Sequence, residues 1–456
     1  MRPTVTKTIK QDILNKRKYN YKYVLCICVL FFALIVARGI NDFFFYAFVG
    51  VSSVVFIMSN SGHCMSFLFF LLPLAPILKL DAKGMSFFTV LFFLVILKLT
   101  VKLHKVNIGL ISALVVLALY SLVFSELSAV TTIITMLSGI LLLYYLRNEK
   151  IHIDINTTVI VYSIGIILSS ILAIFREMLP VIDSFITDSV AENKITESSL
   201  RFSGLHGNPN YYTLDIIVVM SAIVVLLYNN RNTKVHTFFL IALSVLGLMS
   251  VSKSFLVAWV LLMICWLLIS IKQGVRKTIK FILVAMMGAV VVYYFASDYI
   301  NSYIYRLMQD SSGTLESITT GRSTIWFGYV EEILSDIKIL LFGNGLKTIS
   351  ETVGMATHNT YIELLYSLGI FGAIIFLLTL RIGMGKIKLK YGIWIPVIIL
   401  MIRMFALNML TYDNLWFYLA IILLLARETS KQNILRPNSI EDKHKSYGMN
   451  EANNIN

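Results

Sequence analysis

The groups in this chain best suited to chemistry are arginines and histidines set beside strongly apolar stretches. Three segments hold them. The first reads Leu200-Arg201-Phe202-Ser203-Gly204-Leu205-His206-Gly207-Asn208-Pro209-Asn210-Tyr211. Its two glycines and Asn-Pro-Asn mark tight turns, and Asn210 is placed to cap a following helix. Arg201, with His206, either faces an anion or belongs to a well-structured turn with a surface arginine. The second segment contains Thr319-Thr320-Gly321-Arg322-Ser323-Thr324-Ile325-Trp326. Arg322 falls near a helix start, where the dipole disfavours a cation. Free N–H groups beside a guanidinium nevertheless make a phosphate site, because arginine grips phosphate oxygens bidentately. The third segment, Met355-Ala356-Thr357-His358-Asn359-Thr360-Tyr361-Ile362-Glu363, puts His358 at an expected membrane boundary. A histidine there is either structural or a general base near neutral pH. Thr360-x-x-Glu363 fits a capping box for the next helix.

Outside these segments, Lys253 lies in a short turn, Ser250-Val251-Ser252-Lys253-Ser254, and Arg403 falls inside an apolar run. An arginine in lipid is costly and must face a partner or a cavity, so Lys253 and Arg403 are expected to line one site. Asp215 and Asp413 either shape that site or solvate helix ends. The seven histidines are scattered and no carboxylates have ligand spacing, so neither a metal nor any other cofactor is expected. No Walker or dinucleotide-binding glycine loop occurs, which disfavours an ATP-driven pump or a cytoplasmic nucleotide-sugar enzyme. The four cysteines match no zinc spacing and suggest no disulfide framework.

The elements that carry these residues follow from composition. Of the 456 residues, 57% are hydrophobic and 14% charged, with a mean hydropathy of +0.79. Soluble domains carry about 25% charged residues, and disordered chains need low hydrophobicity. The chain therefore reads as an all-α polytopic integral membrane protein, since runs of about 20 apolar residues recur along it. Polar breaks separate candidate helices near 23–39, 43–59, 64–80, 85–101, 107–124, 127–146, 157–179, 211–229, 236–250, 254–271, 279–296, 359–380, 391–411 and 414–426. The spans at 236–250 and 414–426 are short, so about 12–14 crossings are expected. The apolar runs are continuous rather than alternating, which excludes a β-barrel.

Arg2, Lys7, Lys10, Lys16, Arg17, Lys18 and Lys22 precede the first span, so residues 1–22 are expected to be a basic cytoplasmic N-terminus ahead of an uncleaved anchor. This topology places 27 of the 39 lysines and arginines inside and 18 of the 25 acidic residues outside. The net charge of +14 is thus explained by topology, and no nucleic-acid partner is needed. Residues 23–426 form the membrane domain, with long outer loops at 180–210 and 297–358. Residues 427–456 read as a disordered cytoplasmic tail. Within the second loop, Ile325, Trp326, Tyr329, Val330, Ile333, Leu334 and Ile337 follow helical spacing. They predict an amphipathic helix on the outer surface, ended by Gly343-Asn344-Gly345. No internal repeat and no sign of helices broken at mid-membrane is visible.

Taken together, three stretches resemble the O-antigen ligase and polymerase superfamily of bacterial polysaccharide enzymes. They are Arg201-Phe202-Ser203-Gly204-Leu205 with Asn208-Pro209-Asn210; Gly321-Arg322-Ser323-x-x-Trp326 leading to Leu341-Phe342-Gly343-Asn344-Gly345; and His358-Asn359-Thr360-Tyr361 with Glu363 and Leu368-Gly369-Ile370-Phe371-Gly372. The resemblance covers roughly residues 200–425. It implies a metal-independent membrane glycosyltransferase of the C-type architecture, with a glycan on undecaprenyl diphosphate as donor at the outer face of the bacterial plasma membrane. By motif, the family's loop arginines and late histidine map onto Arg201, Arg322 and His358 as catalytic groups. His206, Lys253, Asn359 and Arg403 are expected to bind substrate. Relatives often carry Ser-Arg where this chain reads Ser252-Lys253-Ser254, and lysine keeps the charge but loses the bidentate fork. The resemblance implies a polymerase of repeat units for capsule, exopolysaccharide or O-antigen, working with a glycan acceptor, the bilayer, a flippase and a chain-length regulator. A ligase to lipid A-core, protein or another carrier fits the same motifs. A flippase or other transporter, or a structural or signalling membrane protein, are the readings from other classes.

Overall fold

The computed structural model describes residues 20–80, 84–103, 107–148, 151–192, 201–229, 233–309, 321–387, 392–410, 412 and 414–435. The basic stretch before Asn20, Leu200, Thr319, Thr320, Asp413 and the tail from 436 lie outside them. Among the described residues every regular element is a helix, and there is no strand. The helices are α1 Tyr21–Ile40, α2 Phe43–Met58, α3 Ser61–Leu71, α4 Phe87–Leu103, α5 Ile108–Phe124, α6 Val130–Leu146 and α7 Ile155–Ile174. After these come α8 Pro180–Glu192, α9 Pro209–Tyr228, α10 Thr233–Leu248, α11 Lys253–Lys272 and α12 Val275–Gln309. The last five are α13 Arg322–Ser335, α14 Ile337–Phe342, α15 Thr360–Met384, α16 Trp394–Met404 and α17 Asn414–Leu435. Six of the described helices are long and apolar enough to cross a membrane, and several others are apolar but shorter. The chain is thus an all-helical, membrane-type protein.

Each apolar window of the sequence carries a helix, but 64–80 passes from an α-helix to a 3-10 helix at Leu72–Ile77, and the other differences lie at element edges and at one internal break. The first long loop contains α8, and the second begins as a continuation of α12, which runs to Gln309 instead of ending near 296. The final helix reaches Leu435, beyond the expected end at 426. The expected span at 391–411 stops at Met404, and residues 405–410 continue without regular structure.

Helix α9 is the central post. Nearly all of its residues from Pro209 to Leu227 are buried, as expected for a helix apolar all round. It packs against α7, α10, α11, α16 and α17. Its cap is Asn208, whose side chain accepts from the Asn210 amide at 2.9 Å, with Pro209 at the first helical position. The expected cap, Asn210, is therefore two residues too late and lies inside the helix; its side chain and carbonyl are used elsewhere.

Helix α15 is broken at Gly369, which adopts φ +60°, ψ −174°. A break strands carbonyls that the next turn would satisfy, and in an apolar surrounding each stranded group costs several kcal/mol. Here the Gly343-Asn344-Gly345 turn fills the gap. The Asn344 amide donates to the Tyr366 carbonyl at 2.7 Å, and the Gly345 amide donates to Ser367 at 3.0 Å. The Tyr120 hydroxyl of α5 lies 2.8 Å from both the Leu368 and the Phe342 carbonyl oxygens. The second and third motifs thus meet backbone to backbone. The expectation of unbroken helices fails here and again after Met404, because the sequence signal for a break is a single glycine or none.

The amphipathic helix is also divided. α13 ends at Ser335 and Asp336 caps the short α14, its carboxylate accepting from the Lys338 amide at 2.7 Å. Tyr329 and Ile333 pack on Tyr366 of α15, whereas Phe327, Val330, Leu334 and Ile337 stay exposed. The apolar stripe is therefore two edges, one packed and one open.

Candidate functional site

The three motifs converge at the end of the bundle that the sequence assigns to the outer face. The irregular stretch 405–410, here called the strap, joins them. Irregular backbone inside a membrane-type body is tolerated only where protein or a cavity supports it. Side chains from all three motifs support this one. Arg322 donates to the Ala406 carbonyl at 3.1 Å. The Thr360 hydroxyl donates to the Leu407 carbonyl at 2.6 Å and accepts from the Met409 amide at 3.0 Å. The Tyr211 hydroxyl donates to the Asn408 carbonyl at 3.1 Å, and Glu363 accepts from the Leu410 amide at 3.2 Å. Tyr211 also stacks on Tyr412, with centroids 4.3 Å apart.

These contacts correct the capping box. The cap of α15 is Asn359, whose side chain accepts from the Tyr361 and Ile362 amides at 2.9 and 3.3 Å. Thr360 and Glu363 are freed from that role and hold the strap.

Arg322 is the first residue of α13, after Gly321 in a left-handed conformation at φ +78°. It is half-buried, with the N-terminal amides of α13 beside it. Its charge acts on His358 and reaches Tyr211 and Arg403. His358 has a left-handed backbone, φ +48°. Burial, with the Arg322 charge second, pushes its imidazole down to about 4. It is therefore uncharged at neutral pH, with its lone pair available. No hydrogen bond to its ring occurs among the described residues. The loop before it is fixed from α13: Trp326 donates to the Thr357 carbonyl at 3.0 Å and Tyr329 to Met355 at 2.7 Å.

Arg403 joins the first motif to the short turn. It is completely buried. Its guanidinium donates to Ser254 at 2.6 Å, to the Asn210 carbonyl at 2.6 Å and to Thr213 at 3.0 Å. Ser252 donates to the Asn210 side chain at 2.7 Å, and Tyr303, on the extension of α12, donates to the Ser252 carbonyl at 3.1 Å. Lys253 is half-buried at the start of α11. The Phe202 amide donates to the Met249 carbonyl at 3.0 Å, so Arg201 adjoins this turn too. Val251, β-branched and buried, has φ +50°. Such strain persists only where the surroundings over-determine it, and it gathers at functional sites.

Arg403 thus acts as a rivet between turns. Arg403→Lys is expected to destabilise the protein by about 2–3 kcal/mol, because a single ammonium nitrogen cannot stand at both places from which the two guanidinium nitrogens meet their acceptors. Thermal unfolding in detergent reads this directly; an unchanged midpoint would remove the guanidinium fork as the link.

His206 points elsewhere. Its Nε2 lies 3.0 Å from Asp215 Oδ2, an ion-pair distance without hydrogen-bond alignment. Asp215 Oδ1 accepts from Tyr162 at 2.8 Å, Asn414 at 3.0 Å and Tyr418. Both side chains are almost wholly enclosed. The structure therefore gathers Arg322, His358, Asn359 and Arg403 around the strap and Arg201 with Lys253 at the adjoining turn. It sets His206 within a separate polar cluster around Asp215.

Sequence spacing alone does not mark Asn408, Tyr211, Thr360 or Glu363 as site residues. For Asn408 a signal existed: Arg403 and Asn408 are two polar residues in one apolar window, which lipid would not tolerate unless both were turned inward. No group of three or more histidine, cysteine or acidic side chains is placed to hold a metal among the described residues. Comparison of the chain with protein-family models, with curated proteins and with solved structures finds no match.

Proposed function

We propose that this chain is a metal-independent membrane glycosyltransferase that joins undecaprenyl-diphosphate-linked repeat units into a surface polysaccharide. The single observation that carries the reading is that one fixed strap anchors both Arg322 and the residues flanking His358, with the guanidinium charge acting on the imidazole. Arg322 sits at a helix N-terminus, a place that attracts anions. A diphosphate fits there, and an uncharged imidazole beside it fits a hydroxyl that must lose its proton. On this reading the bundle crosses the bacterial plasma membrane about 12–14 times, with both termini in the cytoplasm and the strap at the outer face.

The reaction balances without a cofactor. An acceptor hydroxyl oxygen bonds to the anomeric carbon as the bond to diphosphate breaks. The hydroxyl proton passes to His358, and the electron pair leaves with the lipid diphosphate. Arg322 and Arg201 offset the charge that develops on the leaving group. The diphosphate itself opposes the repulsion between Arg322 and protonated His358. Donor binding therefore raises the imidazole's pKa toward neutral pH, where general bases work best.

This gives a pH prediction. With short donors, kcat/KM is expected to be high above about 4 and to fall as pH drops through that value, because only neutral imidazole accepts the proton. The acid limb of kcat, which reports the donor complex, is expected at higher pH. Superimposable limbs would mean that the donor does not act on His358.

The test of function is a glycan length profile from a strain lacking this chain and the same strain complemented. Loss of the long ladder, with single units still reaching their acceptor, supports the polymerase. Lipid-linked long chains with none on the acceptor would make it a ligase. One observation favours a transporter: helices broken at Gly369 and after Met404, since transporters often bind substrate at broken helices. The break at Gly369, however, is filled by the Gly343–Gly345 turn, and the strap is tied at both its carbonyls and its amides. Lipid-linked single units trapped at the inner face of the deletion strain would establish transport instead.

A further inference from the structure

We propose that Asn408 is the positioning residue for His358, an inference that rests on the glycosyl-transfer reading above. A histidine at φ +48° holds a conformation that costs on the order of 1 kcal/mol or more. It persists only if its flanking peptides are held. One atom does this. Asn408 Oδ1 accepts from the Thr357 hydroxyl at 2.6 Å and from the Asn359 amide at 3.0 Å. These residues immediately precede and follow His358. The Thr357 hydroxyl oxygen also lies 3.1 Å from the Asn359 carbonyl oxygen, so the two flanks stand close to each other. Asn359 cannot yield, because its side chain caps α15.

The other end of the linkage is equally fixed. Asn408 belongs to the strap, and its own carbonyl takes the Tyr211 hydroxyl. Arg322 is bound to Ala406, two residues away. A six-residue piece of backbone therefore sets both where the imidazole projects from and where the guanidinium lies. Asn408 is the side chain through which the strap reaches His358. It touches no reacting atom itself; it acts through His358.

Asn408→Leu has nearly the same shape without the acceptor. It is expected to lower kcat about 100-fold with little change in donor KM, the scale of loss for a base displaced by about an ångström. Asn408→Asp keeps the acceptor oxygen and is expected to restore most of the turnover. Its added negative charge near the imidazole favours the protonated form, so the acid limb of kcat/KM should move up from about 4. A second readout is independent of activity: modification of His358 by diethyl pyrocarbonate, followed by mass spectrometry across pH. Its midpoint should rise in Asn408→Asp, and its rate should change in Asn408→Leu.

Wild-type turnover in Asn408→Leu, with His358→Ala inactive, would overturn the positioning role and leave the glycosyl-transfer reading intact. So would a failure of Asn408→Asp to restore activity with the modification midpoint unmoved, which is the pattern of a merely structural residue. Should Asn408→Leu not fold, the Asn408→Asp midpoint alone decides. If His358→Ala polymerises normally, His358 is not the base and the positioning role falls with it, whereas the glycosyl-transfer reading itself falls only if the deletion strain keeps its long ladder.

Discussion

His358→Ala is expected to stop polysaccharide chain growth while the protein remains folded and inserted. The imidazole receives no hydrogen bond among the described residues, so its removal strands no partner. A positioned general base contributes about 10²–10⁴-fold, and the purified protein should lose activity by that factor. Alanine tolerates a left-handed backbone less well than asparagine does. His358→Asn is therefore the cleaner variant, retaining the turn without a usable base. Arg322→Ala is expected to cost about 10²–10³-fold, the range for removing one preorganised donor to a developing anion. Arg322→Lys should recover little, because the fork that binds both Ala406 and a phosphate is lost. The double variant should be no worse than the poorer single one, as for residues that act together. A normal glycan ladder from His358→Asn would end its assignment as the base.

Gly369→Ala is expected to prevent accumulation of folded protein. The backbone at φ +60°, ψ −174° belongs to a region reserved for glycine. A Cβ there would stand 2.5 Å from the Gly343 nitrogen and equally close to Leu341 and Phe342 backbone atoms. None of those atoms is the end of a flexible side chain. Strain and overpacking together amount to about 3–5 kcal/mol, a large share of typical stability. Gly50 is the control: it lies within α2 with no atom within 4 Å of an added Cβ. Gly50→Ala is expected to be neutral or stabilising by about 0.5–1 kcal/mol. The comparison is the yield and unfolding temperature of monodisperse protein in detergent. Equal behaviour of the two variants would mean that the break in α15 is not needed.

The sequence made the helices legible because burial in lipid or protein demands long apolar runs, and such runs are hard to mistake. Arg322 at a helix start and the stop at Gly343–Gly345 were legible from spacing and turn chemistry. Breaks were not. Gly369 lies in Leu368-Gly369-Ile370-Phe371-Gly372, which has nothing to mark a kink apart from the distant turn that fills it. The strap reads as the end of a span because its residues are mostly apolar; what unwinds it is a set of side chains brought from far along the chain. The capping-box spacing misleads for a related reason. Thr360 and Glu363 have the right spacing for a cap, but Asn359 already does that work, and long-range acceptors and donors claim the other two. Proximity in sequence groups His206 with Arg201, yet a tight glycine turn directs it inward to Asp215. Gly204 and Gly207 both have positive φ, and that reversal separates His206 from Arg201.

Most of the strap's ties address its peptide groups: the carbonyls of Ala406, Leu407 and Asn408 and the amides of Met409 and Leu410. Peptide groups are the same whatever the side chain. Over evolutionary time, positions 406, 407, 409 and 410 can therefore exchange one apolar residue for another and leave the site standing. The information that specifies this part of the site is held instead at Tyr211, Arg322, Thr360 and Glu363, dispersed across three motifs. Selection would be felt at the gripping residues, while the segment they grip drifts.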